Sequence, residues 1–558
     1  MPGYDVQAPL PPLGFGIGIV GHRPDRLVDQ PAIARCLGRL FGVVEEALGA
    51  TAAKGGHGAA VPPRLVSALA EGADRIAARV ALARGMALVA VLPFAADVYE
   101  GDFADAAARD EFRQLVAAAQ ASVVLDGEVA ARERAYDRAG LVLLENVDLL
   151  IAVWDGGPGR GRGGTREVIE EAARRGVPVV TVSTDGLQVE LRSASLDAYA
   201  SRFADLPRLP EARLEGLVAE LVSLPDGKSA VAEWAWLSRL PSFGVGHRVY
   251  PALLRLAGAG SAKSASPMSA AGDALSEAFG WWDAAAVEAA QAFRSAVIVN
   301  FGLAALAVVL AAGSVLAGHW KWVFVLLEVV TILLLLANTV VGRRRNWQDR
   351  WLESREVAEL LRVASIQRYL AIGRIAGVGD GGWASAYVTA FTRAAPLRSI
   401  DLSNPAASGL EAIEAVRRQS AWNAATAGRM HRAAHRIERF GEILFGIVLL
   451  AAVIWLGLCA TLPQVAAALK YPLTALSAGL PAVATASYGI RVIIDFEGIA
   501  ERSHRIAAGL TLLLDRLDAG PRSAEGLQGF CRAASATMIA DVASWRLLAE
   551  GRRLAIPG

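Results

Sequence analysis

Three stretches in the N-terminal part of the chain place charged or reactive side chains beside glycine. Gly21, His22 and Arg23 follow the apolar run Phe15–Val20, and Glu71, Gly72 and Asp74 follow Arg64–Leu69. Asp155 follows Leu149–Trp154, and a glycine-rich stretch then leads to Gly163, Gly164, Thr165 and Glu167. Glycine lets a backbone approach an anion closely, and the first turn of a helix offers free N–H groups and the positive end of its dipole. Arg23 adds a planar guanidinium that can clamp a phosphate through two N–H bonds. The chemistry these residue types offer is anion binding. Each also has a structural reading: Gly-Gly-Thr before a helix is an ordinary N-cap, and Asp74 can cap the helix that follows it. The convergence of three loops on one edge is what favours a ligand.

Metal chemistry has little to work with. Cys36, Cys459 and Cys531 are far apart and form no paired motif, so they read as reduced or buried thiols. His431 and His435 stand four apart on a helical pattern, with no cysteine or carboxylate completing a ligand set. Neither a metal nor a cofactor is expected, and no residue is assigned a catalytic role.

The elements that must position these residues alternate between strand-like and helix-like runs. Strands are expected at Phe15–Val20, Arg64–Leu69, Ala87–Leu92, Leu149–Trp154 and Val177–Val182, with helical periods at Ala32–Leu48, through Ala83, and up to Arg175. That alternation is the signature of a parallel sheet with crossover helices, an α/β Rossmann-like arrangement. In such open sheets ligands bind at the carboxyl ends of the strands, where all the residues above fall.

These stretches carry a family resemblance. GIGIVGHRP, SALAEGADRIAARVALARG, AVLPF followed by Tyr99 and Asp102-Phe103, and NVDLLIAVWDG with GRGGTREVIEEAARRGVPVV together resemble the SLOG superfamily. That superfamily groups Rossmann-like domains related to the DprA and LOG proteins, and includes nucleotide-ligand sensors of bacterial conflict systems and the cytosolic domain of melastatin-type TRP channels. The resemblance covers about residues 14–185 and implies a nucleotide or ADP-ribose-derived ligand. Hydrolytic LOG enzymes carry a PGGxGTxxE loop, whereas here Glu167 lies two residues after Thr165 and the motif's glutamate position is Val168. The binding features are kept and the catalytic spacing is not, so a sensor is expected and a hydrolase is the alternative.

The remainder of the chain reads as membrane protein. Hydrophobic residues make up 54% and charged residues 20% of 558, and mean hydropathy is positive. A net charge of +1 gives no basis for nucleic-acid binding by bulk electrostatics. A helix needs roughly 20 mostly apolar residues to cross the hydrocarbon core. Ala296–Gly318, Val323–Gly342, Ile443–Leu462 and the weaker Leu473–Val492, which contains Pro481, are the expected transmembrane helices, arranged as two hairpins. Arg294, Arg343 to Arg345, Arg432, Arg436, Arg439 and Arg491 flank one side, while the tips hold only Lys321 and Lys470. The positive-inside rule then places both termini in the cytoplasm, with a bacterial inner membrane expected. The start of the chain lacks a basic segment followed by an apolar run, so no cleaved signal peptide is expected. Trp320 and Trp322 sit where an interfacial anchor belongs, and Trp234, Trp236, Trp281 and Trp282 lie on the approach to the first span.

A shift of 149 positions carries Trp347 onto Phe496, Ser354 onto Ser503, Val357 onto Ile506 and Leu361 onto Leu510. The shared order of basic helix, span, short loop, span and long helix reads as a duplicated two-span unit. It resembles a doubled SLATT domain, an effector found beside SLOG domains. The expected domains are 1–185, an extension and linker over 186–280, and two-span units over 281–400 and 401–558. Glu328 is the only acid inside a strong span and is a pore candidate, or else an acid near enough the interface to snorkel. Taken together, the resemblances imply an antiphage defence effector: a nucleotide second messenger binds the soluble domain of a homo-oligomer, and the spans form a pore in the lipid bilayer or disrupt it. A membrane-anchored nucleotide- or NAD-processing hydrolase and a nucleotide-regulated ion channel are the alternatives.

The arginine pattern makes a direct prediction. A reporter fused at Gly558 should report cytoplasm and one inserted after Lys321 should report periplasm; a periplasmic C-terminus would contradict the four-span reading.

Overall fold

Short runs of Ile, Val, Leu and Ala between glycine-bearing loops form strands, because buried on both faces they need no polar alternation. The structure is a computed structural model in which residues 8–54, 57–58, 60–157, 163–194, 202–223, 248–260, 274–373, 382–404, 407, 409–520 and 522–550 are described, the side chains of 541–550 excepted. Trp234 and Trp236 lie outside the described residues.

The chain begins β1 (Gly16–Gly21), α1 (Gln30–Ala53), β2 (Arg64–Ser67), α2 (Ala73–Ala83) and β3 (Ala87–Leu92). It continues α3 (Ala96–Tyr99), α4 (Ala106–Ala118), β4 (Ala121–Val124), α5 (Arg132–Glu145), β5 (Leu149–Val153), α6 (Thr165–Arg174) and β6 (Val179–Val182). Asp29 starts α1 by accepting the Ala32 N–H at 2.9 Å, and Asp105 starts α4 by accepting that of Ala108 at 2.8 Å. These caps satisfy N–H groups that the helices themselves leave open. Past residue 185 the sheet goes on with β7 (Val189–Arg192) and β8 (Arg208–Leu209), which pair antiparallel, followed by α7 (Leu214–Val222) and α8 (Val249–Leu256).

The helical region that follows comprises α9 (Ala274–Ser314), α10 (Lys321–Arg344), α11 (Trp347–Arg368) and α12 (Trp383–Ala394), then α13 (Leu410–Thr461), α14 (Pro463–Ile494), α15 (Phe496–Ala519) and α16 (Ala524–Glu550). Between α12 and α13 a last strand, β9 (Ile400–Asp401), pairs parallel with β4. The nine strands run β8-β7-β6-β5-β1-β2-β3-β4-β9. One face of this mostly parallel sheet is covered by α1, α2, α4 and α7. The other is covered by α5 and α6, and its apolar core continues into Val363 and Ile366 of α11, Val416 of α13, Leu510 of α15 and Phe530 of α16.

Four helices, within α9, α10, α13 and α14, are long and apolar enough to cross a membrane. The fourth has a mean hydropathy of 1.2 against 2.3 to 2.8 for the others, and contains Pro472 and Pro481. The two helical sets repeat each other's packing: α9 lies along α10 and α11 as α13 lies along α14 and α15. Between α9 and α11 a buried ion cluster joins Asp283 and Glu359 to Arg355 and Arg362, the arginines outweighing burial to hold Glu359 ionised.

The repeat extends to a backbone detail. Asn346 and Asp495, 149 positions apart, each occupy the left-handed region (φ 46° and 62°) immediately before α11 and α15. Asn and Asp tolerate this conformation better than other residues with a Cβ, and it breaks each apolar helix from the polar helix that follows. Asn346→Gly should leave the unfolding midpoint in detergent almost unchanged. Asn346→Val should destabilise by about 1–2 kcal/mol, because a β-branched residue is strained there.

Candidate functional site

The sheet changes direction at β1. From β1 the chain moves outward through β2, β3 and β4, then returns to place β5 on the other side of β1. Open sheets ordinarily bind ligands at such a switch point, but here the loops after β1 and β5 are tied together and the cleft lies on the β2 side of β1.

Gly21 ends β1, and the two residues after it turn to different neighbours. His22 is buried, its Nε2 2.9 Å from Asp155 Oδ1 and 3.3 Å from the Asp155 nitrogen. The Asp155 N–H donates to Nε2, and the Asp155 carboxylate lies close enough to pair with the imidazole. Asp155 also pairs with Arg26 and accepts the Gly157 N–H at 2.9 Å. Partial burial opposes its ionisation, but the Gly157 amide, His22 and Arg26 outweigh that and lower Asp155 to about 2. Asp155 thus locks the loops after β1 and β5 together. Glu167 likewise accepts the Gly163 N–H at 2.5 Å and closes the start of α6, whose N-cap is Gly164 and first residue Thr165. Gly163 has φ 78°, and a Cβ there would lie 2.6 Å from the Asp137 nitrogen, so only glycine lets this loop rest on α5.

Arg23 faces the other way, into a cleft of 430 Å³ between the loops after β1 and β2 and the start of α4. The cleft gathers Arg23, Glu71 and Gly72 from the residues expected from sequence, and adds Asp25, Arg75, Arg79, Asp105 and Glu111, so that arginines and carboxylates share its lining. His22, Asp74, Asp155, Gly163, Gly164, Thr165 and Glu167 do not line it. Gly72 has φ 100°, and a Cβ would meet the His22 carbonyl at 2.4 Å, so glycine is what brings the β1 and β2 loops together. Glu71 is tied down by the Ala104 N–H at 3.0 Å.

Arg75 is the residue that sequence reasoning missed. It is 1% exposed, donates from Nε to the Leu69 carbonyl at 3.1 Å and from Nη1 to the Ala108 carbonyl at 2.6 Å, and stacks 4.2 Å above the Phe103 ring. Nη1 also lies 3.3 Å from Glu111, which binds Arg79 as well, while Nη2 has no partner. A buried guanidinium N–H without an acceptor is costly, and an anion in the cleft would supply one. Its signal in the sequence was an arginine in the first turn of an alanine-rich helix directly after a glycine loop. Tyr99, Phe103 and Phe112 stack behind it, which gives the aromatic residues of the 99–112 stretch a packing role.

Asp74 lies beneath the cleft, 4% exposed, with the Ser67 hydroxyl 3.3 Å away. Burial raises it to about 7 against the opposing pull of the Ala70 amide, Ser67 and Arg75. In α10, Glu328 is half-buried and follows the stripe Thr331, Leu335, Thr339 and Gly342 that is buried in the packing with α9. Further along this seam Asn300 donates to Thr339 at 2.9 Å, and Asn338 donates to Asn300 at 2.7 Å and to the Ala296 carbonyl at 3.1 Å. Trp282 is fully buried against Trp383 and Tyr387, a packing role. Among the described residues no group of three or more His, Cys, Asp or Glu could hold a metal ion.

The fold and site together define an α/β sheet with a cleft lined by arginines and carboxylates, joined to helices able to cross a membrane. No family model matches the chain, and no curated protein matches it.

The Asp74 carboxyl predicts a pH effect. Between about 4 and 7 the unfolded chain releases this proton and the folded chain keeps it, so its contribution to stability falls as pH rises and stays at its minimum above about 7. Asp74→Asn should remove that slope, so that the variant gains on the wild type in unfolding midpoint from pH 4 to 7. An equal slope in both would contradict the buried, protonated carboxyl.

Proposed function

We propose that the chain is a membrane effector of antiphage defence, in which a nucleotide-derived anion binds a SLOG-like, Rossmann-like domain and triggers two SLATT-like hairpins. The ligand enters the cleft between Arg23 and Arg75, and the hairpins are α9 with α10 and α13 with α14. The observation that carries the reading is the pair of unsatisfied arginine groups in that cleft: buried Arg75 Nη2, and exposed Arg23, which pairs with no carboxylate among the described residues. Phosphate oxygens would satisfy both. The core shared between the sheet's second face and α11, α13, α15 and α16 gives ligand-induced shifts a packed route to the spans.

A hydrolase that uses Glu167 is disfavoured because this residue lies outside the cleft and accepts the Gly163 amide. Asn300, Asn338 and Thr339 bond to one another between α9 and α10, which supports a hairpin that moves as a unit. The arginine pattern supports a bacterial inner membrane with the cleft and both termini on its cytoplasmic side. To act as a switch the ligand must bind the open assembly better than the resting one.

The test is a nucleotide screen by thermal shift on the full chain in detergent, since β9 and part of the core over the sheet's second face come from beyond residue 280. A binding nucleotide should raise the melting temperature, and Arg23→Ala should weaken it by roughly 1.5–3 kcal/mol through loss of a charge-assisted bond. Unchanged affinity in Arg23→Ala would place the ligand elsewhere.

A further inference from the structure

The two helical units meet in one direction only. Between them α9 packs along α14, and α11 packs along α16. A two-fold relation would use each surface twice and bring α13 against α10 and α15 against α12, since the contact would be isologous. Neither of those pairs packs together along its length among the described residues. The contact is head to tail: the first apolar helix of one unit receives the second apolar helix of the other. The four stand in a row, α10–α9–α14–α13, and its ends are unused copies of the same two surfaces.

We propose that α13 of one copy of this chain packs along α10 of a second copy, repeating the α9–α14 contact head to tail, so that copies close a ring of spanning helices. A heterologous contact of this kind generates rings when its rotation closes. Of the four apolar helices α13 is the least covered, with none of its most apolar stretch buried. Leu449, Val453, Leu456 and Cys459 form an exposed stripe on it at helical spacing. On α10, exposed Leu326, Val329, Leu333 and Val340 form the corresponding stripe, offset around the helix from Thr331, Leu335 and Thr339 that face α9. Where these stripes end near the polar helices, α13 carries exposed Glu442 beside exposed Arg439, and α10 ends in exposed Arg344, with which Glu442 can pair. The contact is confined to the apolar layer, because α12 is already engaged by the sheet domain through Arg393 and Asp148 at 2.6 Å. It rests on the four helices crossing a membrane and is independent of which anion the cleft takes.

Cys459 is exposed while Cys36 and Cys531 are buried, so one added cysteine tests the contact. Full-length Leu326→Cys in native membranes, treated with a short bis-maleimide, should give a ladder of covalent dimers, trimers and larger species. Adding Cys459→Ser should abolish the ladder, and the wild type should stay monomeric. A second pair, Val329→Cys with Val453→Cys in the Cys459→Ser background, should restore it and guards against misfolding of the first variant. A wild-type dimer through Cys459 would show an isologous contact and overturn the proposal. Monomers in both cysteine pairs, from protein that resists extraction by alkaline carbonate, would mean these stripes face lipid alone and would overturn it too. Extraction of the chain by carbonate would instead overturn the membrane reading beneath it.

Discussion

One apolar core holds the sheet and the helical region together, and the rest of the molecule depends on it. Ile400 pairs beside Val123 in the sheet, although the first two long apolar helices intervene in the chain. Val142 and Ile169 on the sheet's own helices share a core with Ile366, Leu510 and Phe530. Fully burying one such side chain is worth about 1.5–3 kcal/mol, so a shared face of many residues resists separation. The sheet domain therefore cannot act as a loosely tethered head. Polar contacts add to this core, Arg532 of α16 pairing with Glu145 of α5 and the Ala524 amide donating to Asp126 in the loop after β4.

The same residue types meet two environments. Leu37, Leu40, Phe41 and Val44 on α1 are fully buried, while Leu449, Leu450, Val453 and Leu456 on α13 are largely exposed. A soluble protein rarely leaves a continuous apolar helix face uncovered; hydrocarbon or a second copy removes the penalty. Polar residues within these helices obey the complementary rule. Asn300, Asn338 and Thr339 bond to one another rather than face lipid, where an unsatisfied amide would cost several kcal/mol.

Much of this was legible in the sequence, and the limits have physical causes. β1, β2, β3, β5 and β6 announce themselves as apolar runs followed by glycine-bearing loops, and the four apolar helices by length and composition. β4 did not, because Ala121–Val124 offers four residues after an alanine-rich helix. β9 could not, because a two-residue strand has no periodicity and owes its existence to β4 beside it. At the site, residue type and loop position identified Arg23, Glu71 and Gly72 as neighbours. They could not separate these from His22 and Asp155, since adjacent residues after β1 turn to opposite sides. Arg75 was hidden because its importance lies in what its Nη2 lacks, which only packing reveals. The repeat showed in the order of elements and in the 149-residue spacing, while its direction of packing belongs to tertiary structure alone.

The central claim is that ligand binding in the cleft opens the apolar helices without consuming the ligand. The most direct measurement reconstitutes the purified chain in liposomes loaded with an ion-sensitive dye and adds the binding nucleotide, while nucleotide and product are quantified in the same sample. The account predicts ion flux that rises with occupancy of the cleft while the nucleotide remains intact. Stoichiometric or catalytic cleavage of the nucleotide with no flux would contradict it.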